Sequence, residues 1–237
     1  SQERTDPPCP HFGICGGCEL QHMAPSAQIA FKQKVLEEQF RHFGNLQPKE
    51  WLPPMVHDTQ DYRRKARLGV KFVVKKDSLF VGFREKGSPF LAELSSCAVL
   101  DQRIGSRIMA LRELIGGMDA KDSLPQIEFA AGDEGVALVF RHMEPLSASD
   151  QEKLVAFCRD LDWKCYLQPG NYSTVHRVWP LDGEDRLAYA LPDFNLTMHF
   201  HPLDFTQVNA AINRQMVKLA IEMLDPQPHE RVLDLFC

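Results

Sequence analysis

The chain has 237 residues, enough for one large or two small domains, with 44% hydrophobic and 25% charged residues as in an ordinary globular protein. A net charge of -5 argues against a uniformly basic nucleic-acid binder, and no apolar run approaches the ~20 residues of a membrane helix. Seven cysteines, with three crowded together and no secretory signal, argue against a small disulfide scaffold and favour a metal or cluster site.

Residues 1–24 are punctuated by Pro7, Pro8, Pro10, Gly13, Gly16 and Gly17, which predicts a loop around the first cysteines. Ile29, Leu36, Phe40 and Phe43 recur at helical spacing, so a helix is expected from Ser26 to Phe43, stopping at Gly44. A Pro-containing connector follows, then a β-hairpin of Ala66–Val74 and Ser78–Arg84. Alternation in the first strand buries Leu68, Val70, Phe72 and Val74 and puts Arg67, Lys71 and Lys75 on the other face. Leu91–Cys97 reads as a third strand and Leu100–Ile115 as a helix. A second hairpin is expected at Gln126–Ala131 and Val136–His142, then a helix from Ser149, which has capping-box spacing to Glu152. Trp163–Leu167 and parts of 187–200 read as further strands. The fold class expected is an α+β domain of antiparallel hairpins with helices on one side. From about residue 199 the pattern changes to an amphipathic helix, Gln207–Leu224, and a short apolar strand, Arg231–Phe236, as an α/β nucleotide-type domain begins. The chain opens on Ser1 and stops inside that strand, so it is expected to be cut at both ends.

Cys9, Cys15 and Cys18 have the spacing C-x5-C-x2-C, and Cys97 lies on a distant segment. Three thiolates in one loop with a fourth from afar is a common way to hold an iron–sulfur cluster, whose irons each need one soft ligand. Zinc remains open, because four cysteines also make a structural zinc site, although two short-spaced pairs are then usual and only one is present. Cys158 and Cys165 sit in apolar surroundings and read as buried structural thiols. His11 and His22 flank the cysteines, but four thiolates already suffice. Arg63, Arg64, Lys65, Arg67, Lys71, Lys75 and Lys76 form a basic stripe. The first four are candidate RNA contacts, with a solvated strand face as the alternative. Phe205 could stack on a base or merely pack.

The run CPHFGICGGCELQH at 9–22 resembles the cluster-binding segment of the RlmD (RumA) family of 23S ribosomal RNA (uracil-5-)-methyltransferases. YRRKARL at 62–68, GFREKGS at 82–88, DFTQVNAAIN at 204–213 and VLDLFC at 232–237 agree in order and spacing, so the resemblance spans essentially the whole chain. It implies a cytoplasmic enzyme with a [4Fe-4S] cluster on Cys9, Cys15, Cys18 and Cys97. The methyl donor would be S-adenosyl-L-methionine, and the partner 23S rRNA. It implies three parts: an OB-like TRAM domain, absent here; a central domain, residues 1–198; and a Rossmann-like methyltransferase domain, of which residues 199–237 are the first piece. The helix 26–43 is expected to pack on that last domain. By resemblance Gln207 and Phe236 contact the methyl donor, with Asp234 a weaker candidate, and the nucleophilic cysteine and general base lie beyond residue 237. Cys237 matches the cofactor motif and not the nucleophile.

The alternatives are a non-catalytic iron–sulfur or zinc module that grips RNA, or another uracil-5-methyltransferase of the superfamily, dual-site ribosomal or tRNA. A redox role lacks a G-x-G-x-x-G fingerprint in the chain.

Overall fold

Alternation builds the first hairpin. In β1, Lys65–Val73, the side chains of Ala66, Leu68 and Val70 are buried while Arg67 and Lys71 are exposed. The computed structural model describes residues 2–235. A single 3-10 turn at Val74–Lys76 ends on Asp77 in the left-handed conformation, and β2, Ser78–Gly82, returns antiparallel with Gly82 opposite Gly69. Val74, expected on the buried face, is instead 78% exposed, because it belongs to that turn.

The second hairpin, β3 at Gln126–Ala131 and β4 at Val136–Arg141, pairs with β1 through β3. β5, Lys164–Gln168, then joins β4 in parallel, because a helix at Ala148–Asp160 carries the chain back across the sheet. β6, His176–Trp179, pairs antiparallel to β5 and completes the order β2-β1-β3-β4-β5-β6. A separate hairpin consists of β7, Leu187–Leu191, and β8, Leu196–Phe200. The fold is thus mixed, with a mostly antiparallel sheet and one parallel pair that the expected all-hairpin arrangement lacked.

The described residues form five α-helices: α1 at Pro25–Gln39, α2 at Gln102–Gly105, α3 at Ile108–Gly116, α4 at Ala148–Asp160 and α5 at Ala210–Leu224, of which α3 and α4 pack on the sheet. One sheet face packs Leu68, Ile127, Phe129, Leu138 and Phe140 against Ile108, Leu111 and Ile115 of α3 and Leu154 of α4. On the other face Ala130, Ala137, Val139 and Tyr166 pack against Leu187, Phe200 and Leu203, so the β7–β8 hairpin covers β3 to β5. This hairpin crosses the domain boundary expected near residue 199.

Several local expectations shift for identifiable reasons. The helix expected over Leu100–Ile115 breaks after α2, where the Cys97 N–H donates to the Gly105 carbonyl (2.9 Å). Leu91–Cys97 is not a strand: only Leu91 pairs, with Arg84. The α4 cap is Ser147 and not Ser149, its hydroxyl accepting from the Asp150 N–H (3.1 Å). α5 starts at Ala210 and not Gln207, because Asn209 caps it (3.0 Å to the Ile212 N–H) while the Val208 carbonyl accepts from the Arg64 N–H. Residues 231–234 form no strand, since no neighbour among the described residues pairs with them. The helix expected to run to Phe43 ends at Gln39 and passes into a π-helical turn, Phe40–Gly44; in α1 Ala27 alone is buried, Ile29 is half-buried and Leu36 exposed, while Phe40 meets Trp51 edge-on (ring centroids 5.7 Å).

Candidate metal centre and RNA interface

The cysteine loop is curled by its own backbone. The Phe12 N–H donates to the Cys9 carbonyl (3.1 Å), and the Ile14 and Cys15 N–H groups donate to that of His11 (3.2 and 2.9 Å). Gly13 takes φ +91°, a conformation that L side chains rarely adopt. Two bonds stitch the loop to the strand edge: Gly16 N–H to the Arg84 carbonyl (2.9 Å) and Lys86 N–H to that of Ile14 (2.8 Å). Cys97 arrives from the segment before α2. Cys9, Cys15, Cys18 and Cys97 then line one small enclosed cavity together with Phe83 and Leu94. All four are free thiols and partly buried.

Donors point at these sulfurs. The Gly17 N–H lies 3.4 Å from the Cys15 Sγ, the Gln21 side chain bonds Cys18, and the Val99 and Leu100 N–H groups bond Cys97. Burial raises the thiol pKa values of Cys15, Cys18 and Cys97, and the neighbouring cysteines raise them further, against these donors. Thiolates that share one partly buried cavity need a cation among them, which is what iron or zinc supplies. The donor set therefore fits a thiolate-held centre. Among the described residues no three His, Cys, Asp or Glu side chains are already arranged around a single ion. The His11 Nε2 lies 3.0 Å from both the Ser95 N–H and hydroxyl, and His22 lies against Phe12, so both histidines have structural partners.

A short segment links this cavity to the expected cofactor region. The Asp61 and Arg63 N–H groups donate to the carbonyls of Ala98 and Val99 (3.0 and 2.9 Å), and the Asp101 N–H to that of Arg63 (3.0 Å). On its other side the Arg64 N–H donates to the Val208 carbonyl (2.9 Å), and Arg63 bridges Asn209. Residues 61–64 thus lie between the Cys97 loop and residues 207–209. Gln207 is exposed in that loop. Asp234 is exposed in the irregular stretch after α5, and Phe236 lies outside the described residues. Tyr62, not singled out from the sequence, is half-buried, and its hydroxyl pKa is raised by burial and by Cys18 and Cys97.

The candidate RNA contacts divide. Arg64 pairs with Asp133 (2.5 Å), which also takes Arg214 (2.9 Å) and the Ala190 N–H (2.7 Å). Arg67 pairs with the buried Glu128 (2.9 Å). Arg63 donates to the Lys65 carbonyl, and the Lys65 ammonium to the Asp204 carbonyl. Phe205, beside that contact, is 84% exposed, so it does not pack. The structure brings Arg63, Arg64, Lys65 and Phe205 beside Gln207, with Arg67 further along β1. Asp133 and Arg214 were missed, since a carboxylate in a β-turn and an arginine in a helix give no sign of meeting across 81 residues.

No protein-family profile matches the chain. A solved structure, the Pyrococcus abyssi tRNA (uracil-54, C5)-methyltransferase in complex with S-adenosyl-L-homocysteine, is 20% identical, with a TM-score of 0.63 over 94% of this chain and 52% of that one. The fold is therefore the one found within an RNA uracil-5-methyltransferase. In sequence the chain is similar, along its whole length, to about half of each curated RlmD protein it matches. It is 54% identical over 237 residues to the 23S rRNA (uracil(1939)-C(5))-methyltransferase RlmD of Alcanivorax borkumensis, covering all of this chain and 53% of that protein. The Alkalilimnicola ehrlichii RlmD is 52% identical over 235 residues, covering 99% of this chain and 53% of that relative. The chain spans about half the length of the curated relatives it matches.

Proposed function

We propose that this chain is the cluster-bearing, RNA-facing part of an S-adenosyl-L-methionine-dependent enzyme that methylates carbon 5 of a uridine in 23S rRNA. The observation that carries it is the meeting of four cysteines at one cavity, stitched through residues 61–64 to the Gln207 segment. The relatives' names supply the reaction and the RNA.

In that reaction carbon 5 is a poor nucleophile until a thiolate adds to carbon 6 and makes it enolate-like. Carbon 5 then takes the methyl group from the sulfonium, a base removes its proton, and the thiolate leaves. The chain's own residues serve binding. Gln207 and Asp234 contact the methyl donor, and Phe236, the third candidate, lies outside the described residues. Arg63, Arg64, Lys65 and Arg67 meet RNA, and Phe205 stacks on an unstacked base. Cys9, Cys15, Cys18 and Cys97 would hold a [4Fe-4S] cluster, which supplies a rigid cross-link between the cysteine loop and the Cys97 segment.

Anaerobic purification with iron, sulfide and zinc assays tests the centre. About four iron and four sulfide per chain are expected. One zinc with no iron would overturn the cluster.

A further inference from the structure

The outer face of β1 ends in a groove that the candidate site does not use. Over β3 to β5 this face is covered by the β7–β8 hairpin, but over β1 and β2 it is open. The floor is apolar and low: Gly69 lies opposite Gly82, with Phe80 and Leu91 beside them. Lys71, Lys76 and Arg84 rim it, and among the described residues none of the three has a carboxylate partner, Lys76 lying over the Phe80 ring (5.1 Å). The charge of Arg67, at the groove's near end, is matched by Glu128, and Glu85 is the acid on the rim. Phe90 stands on the far lip, 71% exposed, although a large apolar ring gains nothing from water.

We propose that this groove takes a single-stranded stretch of the substrate RNA next to the target uridine, an inference that rests on the RNA reading above. Cations without a carboxylate partner beside an exposed aromatic are what phosphates and base faces require, and no sequence-reading donor array is needed. The groove is also in line with the candidate site. Lys65, at the start of β1, touches the Asp204 carbonyl beside Phe205. Lys71 lies six residues further along the same strand and face, about 20 Å away at ~3.3 Å per residue. A chain whose target base sits at Phe205 would reach the groove with its flanking nucleotides.

The test uses the intact protein and a transcript of the 23S rRNA segment, with binding followed by fluorescence anisotropy across a salt series. Lys71→Gln with Lys76→Gln is expected to weaken binding about tenfold and to make log K less steep against log salt by roughly 0.7 for each phosphate no longer neutralised. Phe90→Ala is expected to cost about tenfold with the slope unchanged, since stacking releases no counterions. Parental iron content shows that the variants are folded. If the parent binds the transcript but both variants match it in affinity and slope, the groove proposal is overturned and a protein partner becomes the occupant to seek. If the parent itself does not bind the transcript, the RNA reading fails instead.

Discussion

Gly105 holds the fourth cysteine in place. Its carbonyl accepts the Cys97 N–H, and a Cβ at this position would run into the Cys97 carbonyl oxygen. Backbone cannot yield as a flexible side chain would. Gly105→Ala is therefore expected to displace Cys97 and at least halve the iron bound per chain, read by metal assay against a Gly116→Ala control, where the added methyl meets nothing within 4 Å. Asp150 is the comparable residue in the helical layer. It is fully buried and accepts from the Asp119 and Ala120 N–H groups (3.1 and 2.9 Å). Asp150→Ala removes the shared acceptor of these two part-buried N–H groups and should cost about 2–3 kcal/mol in denaturant unfolding.

Between elements, Asp133 is the knot. It joins the β3–β4 turn to the start of β1 through Arg64, to α5 through Arg214 and to β7 through the Ala190 N–H. Burial works against its ionisation, but Arg64, the Ala190 N–H and Arg214 outweigh it and hold the carboxyl below the usual carboxylate range. A depressed folded pKa stabilises the fold above the unfolded value near ~4, and that contribution is lost as pH falls through the folded value. Asp133→Asn should thus be less stable than the parent at neutral pH by about 1–2 kcal/mol, with the gap closing below pH ~4, in thermal unfolding at several pH values. A gap that stays constant with pH would show that charge is not what ties these elements. Both hairpins and α4 were legible from alternation and turn residues. The break between α2 and α3 was not, because it depends on the Cys97 N–H taking a carbonyl from outside the helix.

Across the whole molecule, packing is uneven. The sheet has helices on one face and a hairpin on part of the other, whereas α1 buries Ala27 alone and exposes Phe31 and Leu36. α5 likewise exposes Met216, Ile221 and Met223. Helices with few buried contacts open without global unfolding. In the isolated chain the amides of α1 are expected to exchange with solvent at least about a hundredfold faster than those of β3 and β4, measured by hydrogen exchange. Equal protection would show that α1 opens only with the sheet. Among the described residues no helix is long and apolar enough to cross a membrane.

The sequence by itself determined the strand alternation, the crowding of Cys9, Cys15 and Cys18, and the family resemblance. Each of these depends on residue type and near-neighbour spacing. The tertiary structure decided what became of the basic stripe. Arg64 and Arg67 found carboxylates 69 and 61 residues away, while Lys71 and Lys76 on the same hairpin found none. Ion pairing and burial are set by distances between residues far apart in the chain, and only the folded sheet fixes those distances.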